Sequence, residues 1–180
     1  MKTQDFDYEL PPERIAQEPW PVRDECKLLA MDRTTGVLQD RIFRDIVDYL
    51  KPGDVIVANE TRVLPARLLG SKRETGGQAE VFLLRPFAGA APANKNALWE
   101  ALVRPGKRLK PGALVEFTDA AGRVVLSAEV VDFKHDGKGE RIVNLSTEVF
   151  PTLDEAVHAV GHTPLPPYIH EYCGDKEMYQ

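Results

Sequence analysis

Cysteine is scarce. Cys26 and Cys173 are the only two in 180 residues, they stand far apart, and neither belongs to a CxxC pair. That excludes a disulfide framework and points to free thiols in a reducing cytoplasm. Long apolar runs are missing as well, and none approaches the ~20 residues that cross a bilayer. The opening MKTQDFDYEL is acidic and has no apolar h-region, so no secretory signal is expected. A dinucleotide fingerprint is absent. Gly137-Lys138-Gly139 lacks the third glycine and precedes a strand pattern rather than a helix. No GxxxxGK[ST] loop occurs either. His158 and His162 stand four apart, with His170 and Cys173 beyond, but Gly161 and Pro164 break the helix that would align them. No metal site is expected from that set. No Ser-His-Asp or Cys-His arrangement can be singled out.

What is present is an ordinary soluble composition, with 43% hydrophobic and 28% charged residues. The length suits one domain or two small ones, and a globule of this size buries roughly 70% of its unfolded surface. The net charge of −5 hides an asymmetry. Residues 62–110 hold ten Lys/Arg and three Asp/Glu, while the rest hold thirteen and twenty-five. The acidic whole argues against indiscriminate nucleic-acid binding. A basic segment within it suits one polyanion docked at one place, or else a solvated basic face.

The pattern along the chain changes twice. Pro11 and Pro12 suit the first turn of a short helix. Residues 27–32 and 37–42 read as strands around the hairpin signal Arg33-Thr34-Thr35-Gly36. Phe43, Ile46, Val47 and Leu50 have helical spacing, and Lys51-Pro52-Gly53-Asp54 ends that segment. The apolar run 55–58 predicts a buried strand. From about residue 63, six strand candidates follow without a helix between them: 64–69, 79–85, 97–104, 113–117, 123–133 and 141–145. Turn signals such as Thr75-Gly76-Gly77, Pro105-Gly106 and Ala121-Gly122 separate them. Six strands so spaced predict a small antiparallel barrel or sandwich. Helical period returns after Phe150. Thr152 with Glu155 forms a capping-box signature, Leu153, Ala156, Val157 and Val160 form the apolar stripe, and Gly161 ends it. The proline-rich run 163–169 must be extended. The fold class expected is therefore α/β plus all-β. An antiparallel six-stranded barrel-like domain (63–150) is inserted into a discontinuous α/β domain (1–62 and 151–180) that is incomplete here.

Two stretches carry candidate chemistry. In Val57-Ala58-Asn59-Glu60-Thr61-Arg62-Val63 an apolar run meets Asn59, Thr61 and Arg62. Polar groups at the end of a strand are where α/β sheets place ligands, and Arg62 offers a fork suited to carboxylate or phosphate. The bland alternative is an Asx turn between strands. In Arg104-Pro105-Gly106-Lys107-Arg108-Leu109-Lys110 four cations occupy seven residues at a turn. They can hold a phosphate backbone or simply be solvated.

Several strings in order resemble one family. Phe6-Asp7-Tyr8-Glu9-Leu10-Pro11 and Ile15-Ala16-Gln17 are similar to an "FDYELP … LIAQ" opening. Arg23-Asp24, Leu28-Leu29 and Asp32-Arg33 resemble "RD..RLLVLDR". Phe43-Arg44-Asp45 and Gly53-Asp54 precede Asn59-Glu60-Thr61-Arg62-Val63 and Pro65-Ala66-Arg67-Leu68, which resemble "NDTRV.PARL". Gly76-Gly77, Glu80, Leu83-Leu84, Trp99 and Pro105-Gly106-Lys107 follow in family order. Pro164-Leu165-Pro166-Pro167-Tyr168-Ile169 is similar to "PLPPYI", and Asp175 through Tyr179-Gln180 to the start of "D..RYQTVY". On these matches the chain is identified as a member of the queuosine ribosyltransferase-isomerase family. It departs in having Glu60 for Asp, Cys26-Lys27 for Ser-Arg, and Met178 for Arg. The family pattern continues past Gln180 into an "AAPTAGLHF" segment that helps form the active site.

The resemblance implies a tRNA-modifying transferase-isomerase. The ribosyl unit of S-adenosylmethionine moves onto the 7-aminomethyl-7-deazaguanine at the tRNA wobble position. Epoxyqueuosine results, and adenine and methionine are released. S-adenosylmethionine is then a consumed substrate and no separate cofactor is implied. The partners implied are that tRNA and S-adenosylmethionine, with no membrane, in a cytoplasmic enzyme that is monomeric at full length. Asn59, Thr61 and Arg62 are the candidate catalytic and positioning groups. Arg67, Pro166 and Tyr168 are candidates for substrate binding, and Arg104, Lys107, Arg108 and Lys110 for tRNA. The 180 residues alone are expected to be inactive and open to self-association. The alternatives are an RNA-binding barrel module without catalysis and an inert truncated fragment.

Overall fold

The computed structural model describes residues 1–87, 94–134, 139–169 and 178. Two compact units emerge, Met1–Arg62 with Leu165–Gln180, and Val63–Pro164.

In the first unit, β1 (Lys27–Met31) and β2 (Leu38–Ile42) form an antiparallel hairpin with Lys27 opposite Ile42 and Met31 opposite Leu38. Asp32 closes its turn. The carboxylate accepts the Thr34 and Thr35 N–H groups at 2.9 and 2.7 Å and the Thr35 hydroxyl at 2.9 Å. These bonds, led by the Thr35 N–H, hold the Asp32 carboxyl below its ordinary value. Gly36 takes the left-handed conformation that ends the turn.

The remaining regular segments of this unit are 3₁₀ turns, at Thr3–Phe6, Pro12–Arg14, Arg23–Glu25 and Phe43–Tyr49. The helix expected over 43–50 is thus present as 3₁₀. Seven residues stopped by Lys51-Pro52-Gly53 are too few for a cooperative α-helix. The buried strand expected over 55–58 is not there. Val55, Ile56 and Val57 are 85%, 70% and 90% exposed, and no ladder engages them among the described residues. An apolar run signals burial only when a neighbouring strand pairs with it.

The second unit is a closed barrel. Its strands are β3 (Arg67–Lys72), β4 (Gln78–Pro86), β5 (Asn96–Arg104), β6 (Leu114–Thr118), β7 (Val124–Phe133) and β8 (Arg141–Ser146). The order β4-β5-β8-β7-β6-β3 closes by antiparallel pairing of β3 with β4. Each strand alternates: Val81 and Leu83, Trp99, Ala101 and Val103, Val115 and Phe117, and Val143 and Leu145 point inward. Irregular register at Leu83/Arg85, Phe117/Thr118 and Val130/Asp132 supplies the bends a closed sheet needs. The barrel expected from strand spacing is present.

Strand β3 runs three residues later than its apolar pattern suggested. Pro65 has no N–H, and the Ala66 N–H turns back to the Leu64 carbonyl at 2.7 Å, so the ladder starts only at Arg67. The ladder also continues through Gly70. A Cβ there would collide with the Glu116 carbonyl and the Phe117 ring, so the glycine permits β3 and β6 to approach and close the barrel.

Helix α1 (Leu153–Val160) is N-capped as its sequence implied. The Thr152 hydroxyl accepts the Glu155 N–H at 3.2 Å and donates to the Glu155 carboxylate at 3.1 Å. Leu153, Ala156 and Val157 bury against the barrel core, so the helix falls with the barrel. Its period alone had grouped it with the return segment. The short β9 (Gly161–His162) then adds to β3, with His162 opposite Arg67. Among the described residues no helix is long and apolar enough to cross a membrane.

An ion cluster ties the barrel wall. Glu100 accepts from Lys134 Nζ at 2.6 Å and from Arg85 Nε at 3.0 Å, and Lys134 also meets Glu140 at 2.7 Å. The Lys134 hydrogen bond, then Arg85, holds the Glu100 carboxyl below its ordinary 4.5. A carboxyl lowered in the folded state stabilises fully above its unfolded pKa of 4.5, and that contribution fades as pH falls through the folded value. Glu100→Gln should therefore flatten the acid limb of the thermal-stability profile below about pH 4.5. A profile unchanged by E100Q would show that this cluster does not couple folding to acid.

Candidate functional site

The basic turn between β5 and β6 is built around one buried side chain. Leu109 is fully buried, while its neighbours Lys107, Arg108 and Lys110, and Arg104 at the strand end, are exposed. Anchoring Leu109 in the core turns the flanking cations to solvent. The backbone is held at several points. The Arg108 and Leu109 N–H groups donate to the Pro105 carbonyl at 3.0 and 3.2 Å, and the Gly112 N–H donates to Val130 at 2.8 Å. Arg141 clamps the turn from below. Its Nη2 donates to the Gly106 carbonyl at 3.2 Å, its Nη1 to Gly139 at 2.7 Å, and its guanidinium lies 4.3 Å from the Phe133 ring centre. Among the described residues, no hydrogen bond or ion pair engages the side chains of Arg104, Lys107, Arg108 or Lys110. Four unmatched cations on a held backbone form a ready anion contact.

Topology adds to this. The C-terminal ends of β3, β5 and β7 all lie at the same end of the barrel. That end also carries Lys72, Arg73 and Lys134. Arg73 is ion-paired with Glu116, and Lys134 belongs to the Glu100 cluster. The opposite end carries Asp119, Glu148 and α1 with its N-terminal Asp154 and Glu155. Arg104, Lys107, Arg108 and Lys110 thus gather at one end of the barrel, whereas Asp119 at the other is paired with Arg123 at 3.2 Å.

The string 59–62 forms an Asx turn. Asn59 Oδ1 accepts the Thr61 N–H at 2.8 Å and the Thr61 hydroxyl at 2.7 Å. Asn59, Thr61 and Arg62 are all exposed. Tyr168 is 55% exposed, and its carbonyl accepts Gln17 Nε2 at 3.0 Å. The Ile169 N–H donates to the Pro166 carbonyl at 3.0 Å, so the expected extended run ends in a turn. Asn59, Thr61, Arg62, Pro166 and Tyr168 share the first unit, whereas Arg67 and the four cations belong to the barrel unit.

Arg67 already has a partner. Its Nε and Nη2 reach the Glu80 carboxylate at 3.3 Å each. The two residues are diagonal neighbours across β3 and β4, where Arg67 faces Phe82 and Leu69 faces Glu80. Beside them a groove of about 500 Å³ is lined by Leu69, Gln78, Ala79, Glu80, Arg104 and Pro105. Neither the Arg67–Glu80 pair nor this groove is among the sites expected from the sequence. The hairpin signal at Thr75-Gly76-Gly77 was the clue, because folding back there sets Arg67 and Glu80 on one face.

No group of three His, Cys, Asp or Glu able to hold a metal occurs among the described residues. His158 Nδ1 lies 2.9 Å from the Asp154 carbonyl, and His170 and Cys173 fall outside the described residues.

A family model described as "Queuosine biosynthesis protein" matches residues 3–180. The S-adenosylmethionine:tRNA ribosyltransferase-isomerase of Dehalococcoides mccartyi (strain CBDB1) is 44% identical over 180 residues, which is 100% of this chain and 48% of that protein. The protein of the same name from Symbiobacterium thermophilum is 43% identical over 186 residues, with the same 100% and 48% coverage. A crystal structure of an S-adenosylmethionine tRNA ribosyltransferase from Thermotoga maritima is 36% identical, covering 87% of this chain and 48% of that one, with a TM-score of 0.38. The chain therefore spans about half the length of the curated relatives it matches.

Proposed function

The chain belongs to the queuosine biosynthesis protein family, and from that premise we propose that it carries part of a tRNA-modifying transferase-isomerase. The supporting observation is the family match across residues 3–180, together with two relatives above 40% identity named for that activity. The reaction moves the ribosyl unit of S-adenosylmethionine onto the aminomethyl group of a wobble-position 7-deazaguanine. The unit is rearranged to an epoxycyclopentane as adenine and methionine depart. S-adenosylmethionine is consumed, so no separate cofactor is required. The setting is the cytoplasm, where tRNA and donor both reside.

The chemistry demands a proton removed beside the sulfonium, a held adenine, and cations for the methionine carboxylate and tRNA phosphates. Asn59 and Thr61 position substrate through the Asx turn they form, and Arg62 takes a carboxylate or phosphate. Arg67 offers a substrate anion the Nη1 edge that Glu80 does not engage. Tyr168, between Pro167 and Ile169, presents an exposed ring to a base. Arg104, Lys107, Arg108 and Lys110 take tRNA phosphates.

The test is a chimaera in which these 180 residues replace the matching part of the Dehalococcoides mccartyi relative. Adenine release from S-adenosylmethionine, with tRNA bearing the deazaguanine, is the readout. No release, with tRNA still bound, would favour an RNA-binding module instead. Within that chimaera Arg62→Ala should lower kcat/KM roughly 10- to 150-fold, since a charge-assisted contact contributes ~1.5–3 kcal/mol. The side chain is exposed, so the melting temperature should scarcely move. Equal losses of activity and stability would instead assign Arg62 to the turn.

A further inference from the structure

The geometry points to the groove on the outer wall of β3, β4 and β5 as a seat for one unpaired RNA base, flanked by the basic turn that holds its phosphates. This rests on the proposed function only in taking the partner to be RNA.

Three observations meet there. The groove, about 500 Å³, has an apolar surface of Leu69 and Pro105, with Gln78, Glu80 and Arg104 at its edges and the Ala79 backbone between them. Leu69 is 45% exposed, so an apolar surface is open to a flat ring. Arg104 belongs both to the groove and to the basic turn, and stands opposite Glu80 in the β4–β5 register. It therefore links a base-sized slot to Lys107, Arg108 and Lys110 along a path that a nucleotide chain could follow.

The chemistry favours an unpaired base over a duplex. Single-stranded RNA exposes splayed bases that settle on apolar, aromatic or guanidinium faces, whereas an A-form duplex hides them. Glu80 adds selectivity. A carboxylate accepts two neighbouring N–H groups, and the Watson–Crick edge of guanine presents such a pair. Each Glu80 oxygen already accepts one Arg67 N–H at 3.3 Å, and its second lone pair is the one left for the base. At the opposite end the acidic first turn of α1 disfavours a polyanion beside Asp154 and Glu155. Arg141 is a positioning residue. Stacked on Phe133 and bonded to the Gly106 carbonyl, it fixes the turn before RNA arrives.

The test uses the 180-residue chain with two fluorescein-labelled RNAs, a hairpin with a guanine in its unpaired loop and a blunt duplex of equal charge. Affinity is read across a salt series. The wild type should prefer the hairpin. Lys107→Gln with Arg108→Gln and Lys110→Gln should weaken both RNAs and flatten the salt slope by about 0.7–0.9 per contact. Leu69→Ala and Glu80→Gln should each reduce the hairpin preference, the former roughly fivefold, while leaving duplex affinity unchanged. All five side chains reach the surface, and circular dichroism checks that each variant folds. Equal binding of the two RNAs, no binding at all, or a preference that survives both groove variants would overturn the assignment. Adenine release by the chimaera fails or succeeds separately. Release without any hairpin preference condemns the groove alone, and preference without release condemns the activity alone.

Discussion

Incubated with S-adenosylmethionine and acceptor tRNA, the 180 residues by themselves are expected to release no adenine, while the chimaera does. The reason lies in the surroundings of Asn59, Thr61 and Arg62. Residues 51–63 are exposed throughout, and Val57 just upstream is 90% exposed. The Asx turn fixes Asn59 against Thr61, but nothing described packs the apolar residues that lead into it. A catalytic group must be held within about 0.5 Å of its working position by packed neighbours. A displacement of about 1 Å can cost ~100-fold in rate. The expected deficit relative to the chimaera is therefore at least about 100-fold. Adenine quantified by chromatography after single and multiple turnovers decides it. Comparable rates from the two proteins would mean that residues 1–180 already hold a formed site. A chimaera as silent as the short chain would count against the proposed activity itself.

The barrel was legible because its signals were local and consistent. Over Gln78–Pro86, Asn96–Arg104 and Arg141–Ser146 the inward residues alternate, and turn residues such as Gly76-Gly77 and Pro105-Gly106 punctuate the strands. The cap of α1 was legible for the same reason, since Thr152 and Glu155 are three apart. What escaped depended on partners. Gly70 looks like a strand end until β6 is known to press Phe117 against it. Val55, Ile56 and Val57 look like a core strand because hydrophobicity records what a segment can bury, not whether a neighbour is present. The four cations of the basic turn could be named from sequence. Their freedom from carboxylates could not, because it depends on Glu80 and Glu116 pairing with Arg67 and Arg73 in the folded barrel. Asn59 and Thr61 were legible as a polar pair, and their mutual hydrogen bonds were one of the two arrangements the string allowed.

Phe117→Ala should be the most damaging single change to folding of the 180-residue chain, and Val57→Ala close to silent. Both residues sit in short strings of strand-forming type, Leu114-Val115-Glu116-Phe117 and Val55-Ile56-Val57, and the second is the more hydrophobic. Their surroundings differ entirely. Phe117 is fully buried, the largest such side chain, with its ring against Gly70 where β3 and β6 close the barrel. Truncation removes the buried ring and leaves a cavity that the closed strands cannot easily fill, which typically costs ~3–5 kcal/mol. For a unit of this size that should lower the melting temperature by more than about 10 °C. Val57 gives up little on truncation, because most of its surface already meets water. Surface substitutions of that kind stay within about 0.5 kcal/mol. Thermal and urea unfolding, followed by circular dichroism and by the fluorescence of the buried Trp99, read both variants. Similar losses from the two would mean that 55–57 packs against something in the short chain after all. A tolerated F117A would mean that β3 and β6 need neither Phe117 nor the close approach at Gly70 to stay paired.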